Sequence, residues 1–259
     1  MLPRKVLPAL AAALLIGCAA QASVTFTLTD LGTLGGLYSD AQRINNSGQA
    51  VGTAYNAALD PHACMWDSGV ITDFGTSGGR YSFGYDVNEA GHATGLWYTT
   101  PTQIRGFFWD GVSITVIPTL GGTTYGFGIN DNDDIVGMSR TPGSVNHAFL
   151  YSGGVITDLG TLGGISSHAR DVNNSLQVAG NSTTKSGYAA AFFWEDGVMQ
   201  QLPALGGTSS EAYDINESGV VAGSGYLAGD LVAHACLWTG GVATDLGGLP
   251  GGNDSMASG

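Results

Sequence analysis

The chain repeats a unit of about 43 residues, and this periodicity constrains its fold more than any other feature. Gly-Gly pairs mark the units at 42- to 45-residue intervals, beginning at Gly35, Gly78, Gly121, Gly163, Gly206 and Gly251. Asparagines recur with nearly the same interval at Asn45, Asn88, Asn130, Asn173 and Asn216. Repeats of this length are typical of solenoids and β-propellers, in which each unit covers the apolar face of its neighbour.

Each unit divides into four short extended runs, which in the first repeat are 39–44, 50–53, 63–66 and 70–74. No window has a sustained helical period. Asn45-Asn46-Ser47-Gly48 and Asp67-Ser68-Gly69 separate neighbouring runs, with glycine placed where a tight turn needs positive φ. The unit is therefore predicted to be four antiparallel strands joined by hairpins.

The predicted fold is all-β, a β-propeller of about five four-stranded blades of ~43 residues each. One side of the first strand carries small residues: Ala41, Gly84, Gly126, Ala169 and Ala212. The other side carries larger ones: Gln42, Tyr85, Phe127, Arg170 and Tyr213. Small side chains on one face of a sheet leave room for large side chains of the next sheet, so stacked sheets can pack at close-packed density. The alternative is a β-solenoid of stacked repeats.

The domain prediction is a signal peptide over 1–22 and a repeat domain over 23–259. We expect an extra N-terminal strand over 24–34, repeats over 35–77, 78–120, 121–162, 163–205 and 206–250, and a partial sixth unit over 251–259. The solitary strand and the partial unit predict a truncated chain; the alternative is a five-bladed ring with a spare edge strand. Pro118 and Pro203 are aligned with the Asp of the Thr-Asp-Leu-Gly segment, which predicts that the fourth strand is outermost.

The N-terminus has the pattern of an export signal. Arg4 and Lys5 precede an apolar stretch over 6–17 that is too short to span a membrane. Ala20-Gln21-Ala22 fits ordinary cleavage, whereas residues 15–18 resemble a lipobox in which Cys18 would be lipidated. The expected location is secreted, extracellular or periplasmic, or alternatively an outer-membrane lipoprotein. No later segment is apolar enough for a transmembrane helix.

Charge and motifs exclude several function classes. The formal charge is −13, with 8 Lys and Arg against 21 Asp and Glu, and no basic cluster follows Lys5. Nucleic acid is therefore not an expected partner, because phosphate binding needs clustered cations. No nucleotide-binding, zinc-protease or serine-hydrolase motif occurs in a suitable context, so no cofactor is expected.

Histidines and cysteines each recur at a fixed repeat position. The histidines are His62, His147 and His234, with Arg105 and Ala190 in the other two repeats. Equivalent positions in separate blades do not converge on one ion, so structural hydrogen bonding is predicted and no metal site. Cys64 and Cys236 are predicted to be buried, unpaired thiols that fill the position of Phe149, because equivalent positions are too far apart for a disulfide.

Aspartates recur two positions before the turn asparagine, at Asp86, Asp171 and Asp214, with Arg43 and Gly128 in the remaining repeats. One interpretation is a local hydrogen bond to the turn backbone. The other is an acidic ring at a channel mouth, which could hold a cation or supply a carboxyl pair for acid–base catalysis.

The combination of Asp-Leu-Gly-Thr-Leu-Gly-Gly, Ile-Asn-x-x-Gly-x-x-Val-Gly and His-Ala-Phe-like triplets ending in Trp or Tyr resembles the HAF family of extracellular bacterial repeat proteins. The match covers nearly all of the chain after the N-terminal segment. The turns at 132–134 and 173–176 depart from the pattern. The resemblance implies export and a propeller-like fold, and it implies no established activity.

In a propeller, the blade-to-blade connections and the connections between strands two and three emerge on one face. The latter fall in variable stretches over 54–61, 98–104, 139–146, 181–188 and 225–233. Variation on one face of a regular scaffold is typical of a binding surface. Tyrosines in or beside it are the predicted binding residues: Tyr38, Tyr55, Tyr81, Tyr98, Tyr188 and Tyr226.

The sequence thus predicts an exported, non-enzymatic repeat protein that binds polysaccharide or an envelope or matrix protein, or serves as a structural surface component. The alternative is a propeller-type, glycan-active enzyme that uses the channel-mouth aspartates.

Overall fold

The computed structural model describes residues 27–258. The predicted signal peptide, the cleavage site and Cys18 lie outside the described residues. The chain divides into a short N-terminal unit, Met1–Asp30, and a second unit, Leu31–Gly259. Residues 27–30 of the first unit form no helix or strand.

The described part of the second unit contains twenty strands in five antiparallel four-stranded sheets, here called blades 1 to 5. Blade 1 comprises β1 (Gly35–Ile44), β2 (Ala50–Asn56), β3 (Pro61–Asp67) and β4 (Val70–Asp73). Blade 2 comprises β5 (Ser82–Val87), β6 (Ala93–Thr100), β7 (Gln103–Trp109) and β8 (Ile114–Val116). Blade 3 comprises β9 (Thr124–Ile129), β10 (Ile135–Arg140), β11 (Asn146–Ser152) and β12 (Val155–Gly160). Blade 4 comprises β13 (Gly163–Val172), β14 (Val178–Thr184), β15 (Ala189–Glu195) and β16 (Val198–Gln201), and blade 5 comprises β17 (Gly206–Ile215), β18 (Val221–Leu227), β19 (Ala233–Thr239) and β20 (Val242–Gly247).

The blades are arranged around a centre, as in a β-propeller. Strands follow chain order within every sheet, and the first strands of all five blades contribute residues to one cavity of about 240 Å³. Arg43 of blade 1 lies 3.7 Å from Asp214 of blade 5. A linear solenoid would separate these two units by three others, so the propeller prediction is confirmed and the solenoid alternative is wrong.

The hydrophobic core lies between successive blades and depends on the small residues of the first strands. One cluster joins Val136 of blade 3 to Phe192 of blade 4, and another joins Ala179 of blade 4 to Trp238 of blade 5. A Cβ added at Gly84 would come within 2.7 Å of the Val51 side chain in the preceding blade. The prediction that small residues line one side of the first strand is therefore correct, and this side faces the previous blade.

The tight turns have the predicted geometry. The amide of Gly48 donates to the carbonyl of Asn45 at 3.0 Å, and Gly48 has a φ of 82°. In all five blades, the first strand carries a β-bulge just before the residue at the aspartate position. The bulge changes the direction of the strand at the point where it approaches the central cavity.

Three predictions about element bounds are wrong. The strand predicted over 24–34 does not form over 27–33, and only Leu34 makes an isolated bridge, to Asn56. About half of the residues in the variable stretches are in strands, because the second and third strands extend until only short turns remain, at 57–60, 101–102, 141–145, 185–188 and 228–232. Val116 and Gln201, not the prolines, align with the Asp of the other blades. Pro118 and Pro203 follow two residues later, after the outermost strands have ended.

The segment after Gly252 lies against blade 5 in the way that a first strand lies against a preceding blade. Ser255 Oγ accepts a hydrogen bond from the amide of Ala235 at 2.9 Å and donates to the carbonyl of Gly247 at 2.6 Å. Ser82 makes the matching contacts, with the amide of Ala63 and the carbonyl of Gly75. In blade 1, Ala41 is exposed, whereas the residues at the same repeat position in blades 4 and 5, Ala169 and Ala212, are buried.

Within residues 27–258, no helix is long and apolar enough to cross a membrane.

Candidate functional site

The propeller has two chemically different faces. The loop face carries the blade-to-blade connections and the turns between second and third strands. The hairpin face carries the asparagine turns and the turns between third and fourth strands. The predicted tyrosines belong to the loop face, whereas Asp86, Asp171 and Asp214 lie at the cavity on the hairpin face. The two predicted sites are therefore separate.

Four of the six predicted tyrosines form two equivalent pairs. Tyr38 and Tyr55 of blade 1 meet edge to face with ring centroids 5.9 Å apart. Tyr81 and Tyr98 of blade 2 repeat this arrangement at 5.8 Å.

Tyr226 lies at the repeat position of Tyr55 and Tyr98, but Ser209 stands where its partner would be. Tyr188 is half exposed in the turn region of blade 4. Neither has an aromatic ring partner among the described residues.

The blade 2 pair lines an open cavity of about 480 Å³. Gly78, Gly79, Arg80 and residues 99–101 complete its wall. In blades 1, 4 and 5 the first strand begins at the Gly-Gly pair, but in blade 2 it begins at Ser82. The Gly-Gly segment of blade 2 therefore lies outside the sheet and leaves room for the cavity. Gly79 is essential to the wall, since an added Cβ would come within 1.5 Å of the Tyr98 carbonyl oxygen.

Arg80 connects this cavity to blade 1. Its guanidinium lies over the Tyr81 ring, 5.1 Å from the centroid, and its Nε donates to Asp60 at 2.7 Å. The bond to Asp60 of blade 1 holds the guanidinium in place, and the guanidinium in turn holds the Tyr81 side of the wall. Arg80 was not among the residues predicted from the sequence, although its position directly before the predicted binding residue Tyr81 could have indicated it.

A second loop-face cavity, of about 280 Å³, lies between blades 2 and 3. It is lined by Arg105 and Arg140 together with Thr102, Thr119 and Thr123. The turn at 101–102 separates it from the tyrosine cavity, to which Pro101 contributes. Arg140 was also not predicted from the sequence, although it occupies the same repeat position as the predicted binding residue Tyr98.

The recurring histidines have the structural role that the sequence predicted. His62, His147 and His234 each hydrogen-bond through Nδ1 to a fourth-strand carboxylate at 2.9 Å; the partners are Asp73, Asp158 and Asp245. No group of three potential metal ligands occurs within residues 27–258. In blade 2, where Arg105 replaces the histidine, Val116 replaces the aspartate, so both members of the pair change together.

Asp86 and Asp171 at the central cavity each accept a hydrogen bond from the next blade rather than from the turn. Asp86 accepts hydrogen bonds from the amide of Val87 at 2.9 Å and from that of Ile129, in the next blade, at 2.8 Å. Asp171 does the same with Val172 and with Ile215 of the next blade. The interpretation as a hydrogen bond to the turn backbone is therefore wrong, because the donors are the amides of Ile129 and Ile215 in the next blade. Asp86 and Asp171 thus join neighbouring blades.

The central carboxyl groups favour protonation. Burial raises the pKa of Asp86 to about 6, against the opposing effect of two amide bonds and Arg43. Burial, together with the hydrogen bond to Asp214 and the negative charge of that residue, raises the pKa of Asp171 well above its usual range. Asp171 therefore tends to keep a proton at the contact with Asp214.

Cys64 and Cys236 are unpaired and fully buried, as predicted. Burial raises the pKa of each thiol to about 12, with nearby Asp73 and Asp245 adding to the effect for Cys64 and Cys236 respectively. Neither thiol has the ionised form that nucleophilic chemistry needs near neutral pH.

The solved structures that resemble this chain support the propeller fold. TolB from Acinetobacter baumannii superimposes with a TM-score of 0.56 at 12% identity, covering 77% of this chain and 53% of that one. The β-propeller domain of the Trilobed protease from Pyrococcus furiosus, which has an open velcro topology, gives 0.55 at 12% identity, covering 81% and 68%. Acylaminoacyl peptidase from Pyrococcus horikoshii gives 0.52 at 13% identity, covering 82% and 38%.

The chain thus spans about half of the TolB chain that it matches. At these identities the likeness shows the fold alone. No protein-family model and no curated protein sequence matches the chain.

Proposed function

We propose that this protein is an exported, non-enzymatic module that binds polysaccharide through its loop face. The observation that carries the proposal is the cavity between Tyr81 and Tyr98. Its volume of about 480 Å³ is within the range of small-molecule sites, roughly 300–1,000 Å³. Two tyrosine rings offer apolar faces with polar edges, the combination that suits a sugar ring.

The support for export is the N-terminal pattern and the resemblance to extracellular HAF repeat proteins. Both concern the sequence, so export needs its own measurement. Expression of the full chain with a C-terminal tag, followed by cell fractionation, should recover a product outside the cytoplasm that is shorter than the full chain. Recovery of an unprocessed chain in the cytoplasm would contradict this part of the proposal.

Binding is tested on the folded repeat domain by titration with a panel of soluble neutral and acidic polysaccharides. Tyr98→Ala should weaken binding about ten-fold or more, because loss of one ring opens the cavity. Tyr226→Ala is the matched control, since it removes a tyrosine at the same repeat position that has no partner ring among the described residues. We expect its affinity to stay within about two-fold of the unmodified protein.

The same samples distinguish the alternative function. Release of new reducing ends during incubation, abolished by Asp171→Asn, would favour a glycan-active enzyme and overturn the non-enzymatic proposal. Failure of the folded domain to bind any polysaccharide in the panel would overturn the proposal of glycan binding. Equal losses in the two tyrosine variants would exclude the blade 2 cavity as the site.

A further inference from the structure

The cations of the described residues are unevenly distributed. They are Arg43, Arg80, Arg105, Arg140, Arg170 and Lys185. Arg43 is at the acidic cavity, and Arg170 lies over Phe127 on a first strand. The other four belong to the loop face. The hairpin face, in contrast, carries acidic side chains in the turns of every blade, among them Asp67, Glu89, Asp110, Asp131, Glu195 and Glu217.

Arg105 has a free charge because its blade has lost the carboxylate that the equivalent residue contacts elsewhere. In blades 1, 3 and 5 the histidine at this position is bonded to an aspartate, but in blade 2 the opposing residue is Val116. Arg105 Nη1 donates instead to the carbonyls of Ile104 and Gly122, each at 3.0 Å. These bonds hold the guanidinium at the cavity without neutralising it.

Arg140 reinforces the same cavity from blade 3. It takes the place of the tyrosine that lines the cavity of blade 2, and its side chain is exposed. Within residues 27–258 neither Arg140 nor Arg105 forms an ion pair, although the chain has 21 carboxylates. Other loop-face carboxylates have partners of their own, with Asp60 bonded to Arg80 and Asp158 to His147.

The overall negative charge does not prevent an anion from binding here. At physiological salt, charges separated by more than about 8 Å are largely screened, so the two nearby arginines outweigh the distant hairpin face. A planar carboxylate matches the fork of a guanidinium, which can donate two parallel hydrogen bonds to it. The threonines around the cavity add neutral hydroxyl groups.

From this geometry we infer that the loop face of blades 2 and 3 binds a carboxylated, uronate-containing polysaccharide. A sugar ring occupies the Tyr81–Tyr98 cavity, and the carboxylate of a neighbouring sugar, across the turn at 101–102, contacts Arg105 and Arg140. The inference rests on the proposed function and specifies its ligand class.

The test compares polygalacturonate with its methyl-esterified form, which has the same backbone without the charge. The unmodified domain should bind polygalacturonate at least ten-fold more tightly, and added salt should reduce this difference. Arg140→Gln and Arg105→Gln should each weaken polygalacturonate binding about ten-fold and leave binding of the ester within about two-fold. Lys185→Gln, a loop-face cation in blade 4, is the control and should change neither affinity.

The variants are compared after their thermal unfolding has been shown to match that of the unmodified domain. Arg140→Gln keeps the test valid if Arg105→Gln is unstable, because the Arg140 side chain forms no hydrogen bond among the described residues. Equal affinity for the two polymers would overturn this inference and leave the proposed function intact. Absence of binding to both polymers would overturn this inference, while binding to another polysaccharide in the panel would still support the proposed function.

Discussion

The turn asparagines show how one side chain can serve two levels of structure. Asn88 Oδ1 accepts hydrogen bonds from the amides of Ala90 and His92, which close its own turn. Asn88 Nδ2 donates to the carbonyl of Asn130 in the next blade at 2.9 Å. The same bond joins successive blades from Asn45 through to Asn216. Sequence patterns predict the turn but not the second bond, because its acceptor lies 42 or 43 residues away.

We predict that Asn88→Ala lowers the free energy of unfolding by about 2–3 kcal/mol. The change removes the Nδ2 hydrogen bond to the buried Asn130 carbonyl, which keeps the bond from the Asp133 amide, and it leaves two amides of the turn without the Asn88 Oδ1 acceptor. Asn46→Ala is the control, since Asn46 is exposed and its side chain bonds to the exposed Glu89. Its effect should be within about 0.5 kcal/mol. Urea unfolding followed by tryptophan fluorescence measures both, and equal midpoints for the two variants would show that the inter-blade bond is unimportant.

At the scale of elements, the sequence predicted the strands well where side chains set the turn and poorly where they did not. Asn, Asp and Gly mark the hairpin-face turns, and those bounds are nearly correct. On the loop face, the second and third strands continue through polar residues, since backbone pairing needs no particular side chain there. The prolines were misaligned because the strand register, which decides what lies opposite Phe107 or Phe149, is not visible in spacing alone.

A serine near the start of the first strand bonds to the preceding blade in blades 2, 4 and 5, and Ser255 does the same in the segment after Gly252. We predict that this serine is an important contact between neighbouring blades. Ser255→Ala should lower the unfolding free energy by about 1–2 kcal/mol, because the amide of Ala235 loses its acceptor. Ser39 is the matched control: it occupies the same repeat position in blade 1 but is exposed. Ser39→Ala should therefore be nearly neutral.

Hydrogen exchange provides a second measurement. The amide of Ala235 should exchange faster in Ser255→Ala, whereas amides in blade 2 should be unaffected. Unchanged protection at Ala235 would mean that the segment after Gly252 does not cover blade 5 in solution.

At the scale of the whole molecule, closure creates features that no single repeat contains. The aspartates could be recognised in the sequence as recurring residues, but their distances from one another depend on the curvature of the ring. Arg43 contacts both Asp86 and Asp214, and Asp171 lies at the same cavity as Asp214, only because blades 1, 2, 4 and 5 converge. The two loop-face cavities likewise combine elements that are separate in sequence.

This carboxyl cluster predicts an unusual pH dependence. The pKa of Asp86 is about 6 in the folded protein, above its ordinary value of 3.8, so the folded state binds more protons between these values. The stability that protonation of Asp86 provides is present below pH 4 and is lost as pH rises through about 6. Asp171, whose pKa is also raised, acts in the same direction.

Asp214→Asn should restore part of the stability that is lost as pH rises. The change removes a negative charge near both Asp86 and Asp171, and the new amide can still donate a hydrogen bond to Asp171. We expect it to raise the unfolding free energy by on the order of 1–2 kcal/mol at pH 7.5 and by much less at pH 4.5. Urea unfolding at several pH values measures the difference. Parallel pH profiles for the variant and the unmodified protein would show that the cluster is not coupled.

The joint replacement of His–Asp by Arg–Val in blade 2 has a consequence for how such proteins diversify. Both members of the pair lie on the outer two strands of a single blade, and Arg105 is accommodated at the border with blade 3 by a hydrogen bond to the Gly122 carbonyl. A lineage, or an engineer, can therefore graft an arginine into one blade and retain histidine in the rest without repacking the ring. Ligand choice and architecture can then evolve independently, one blade at a time.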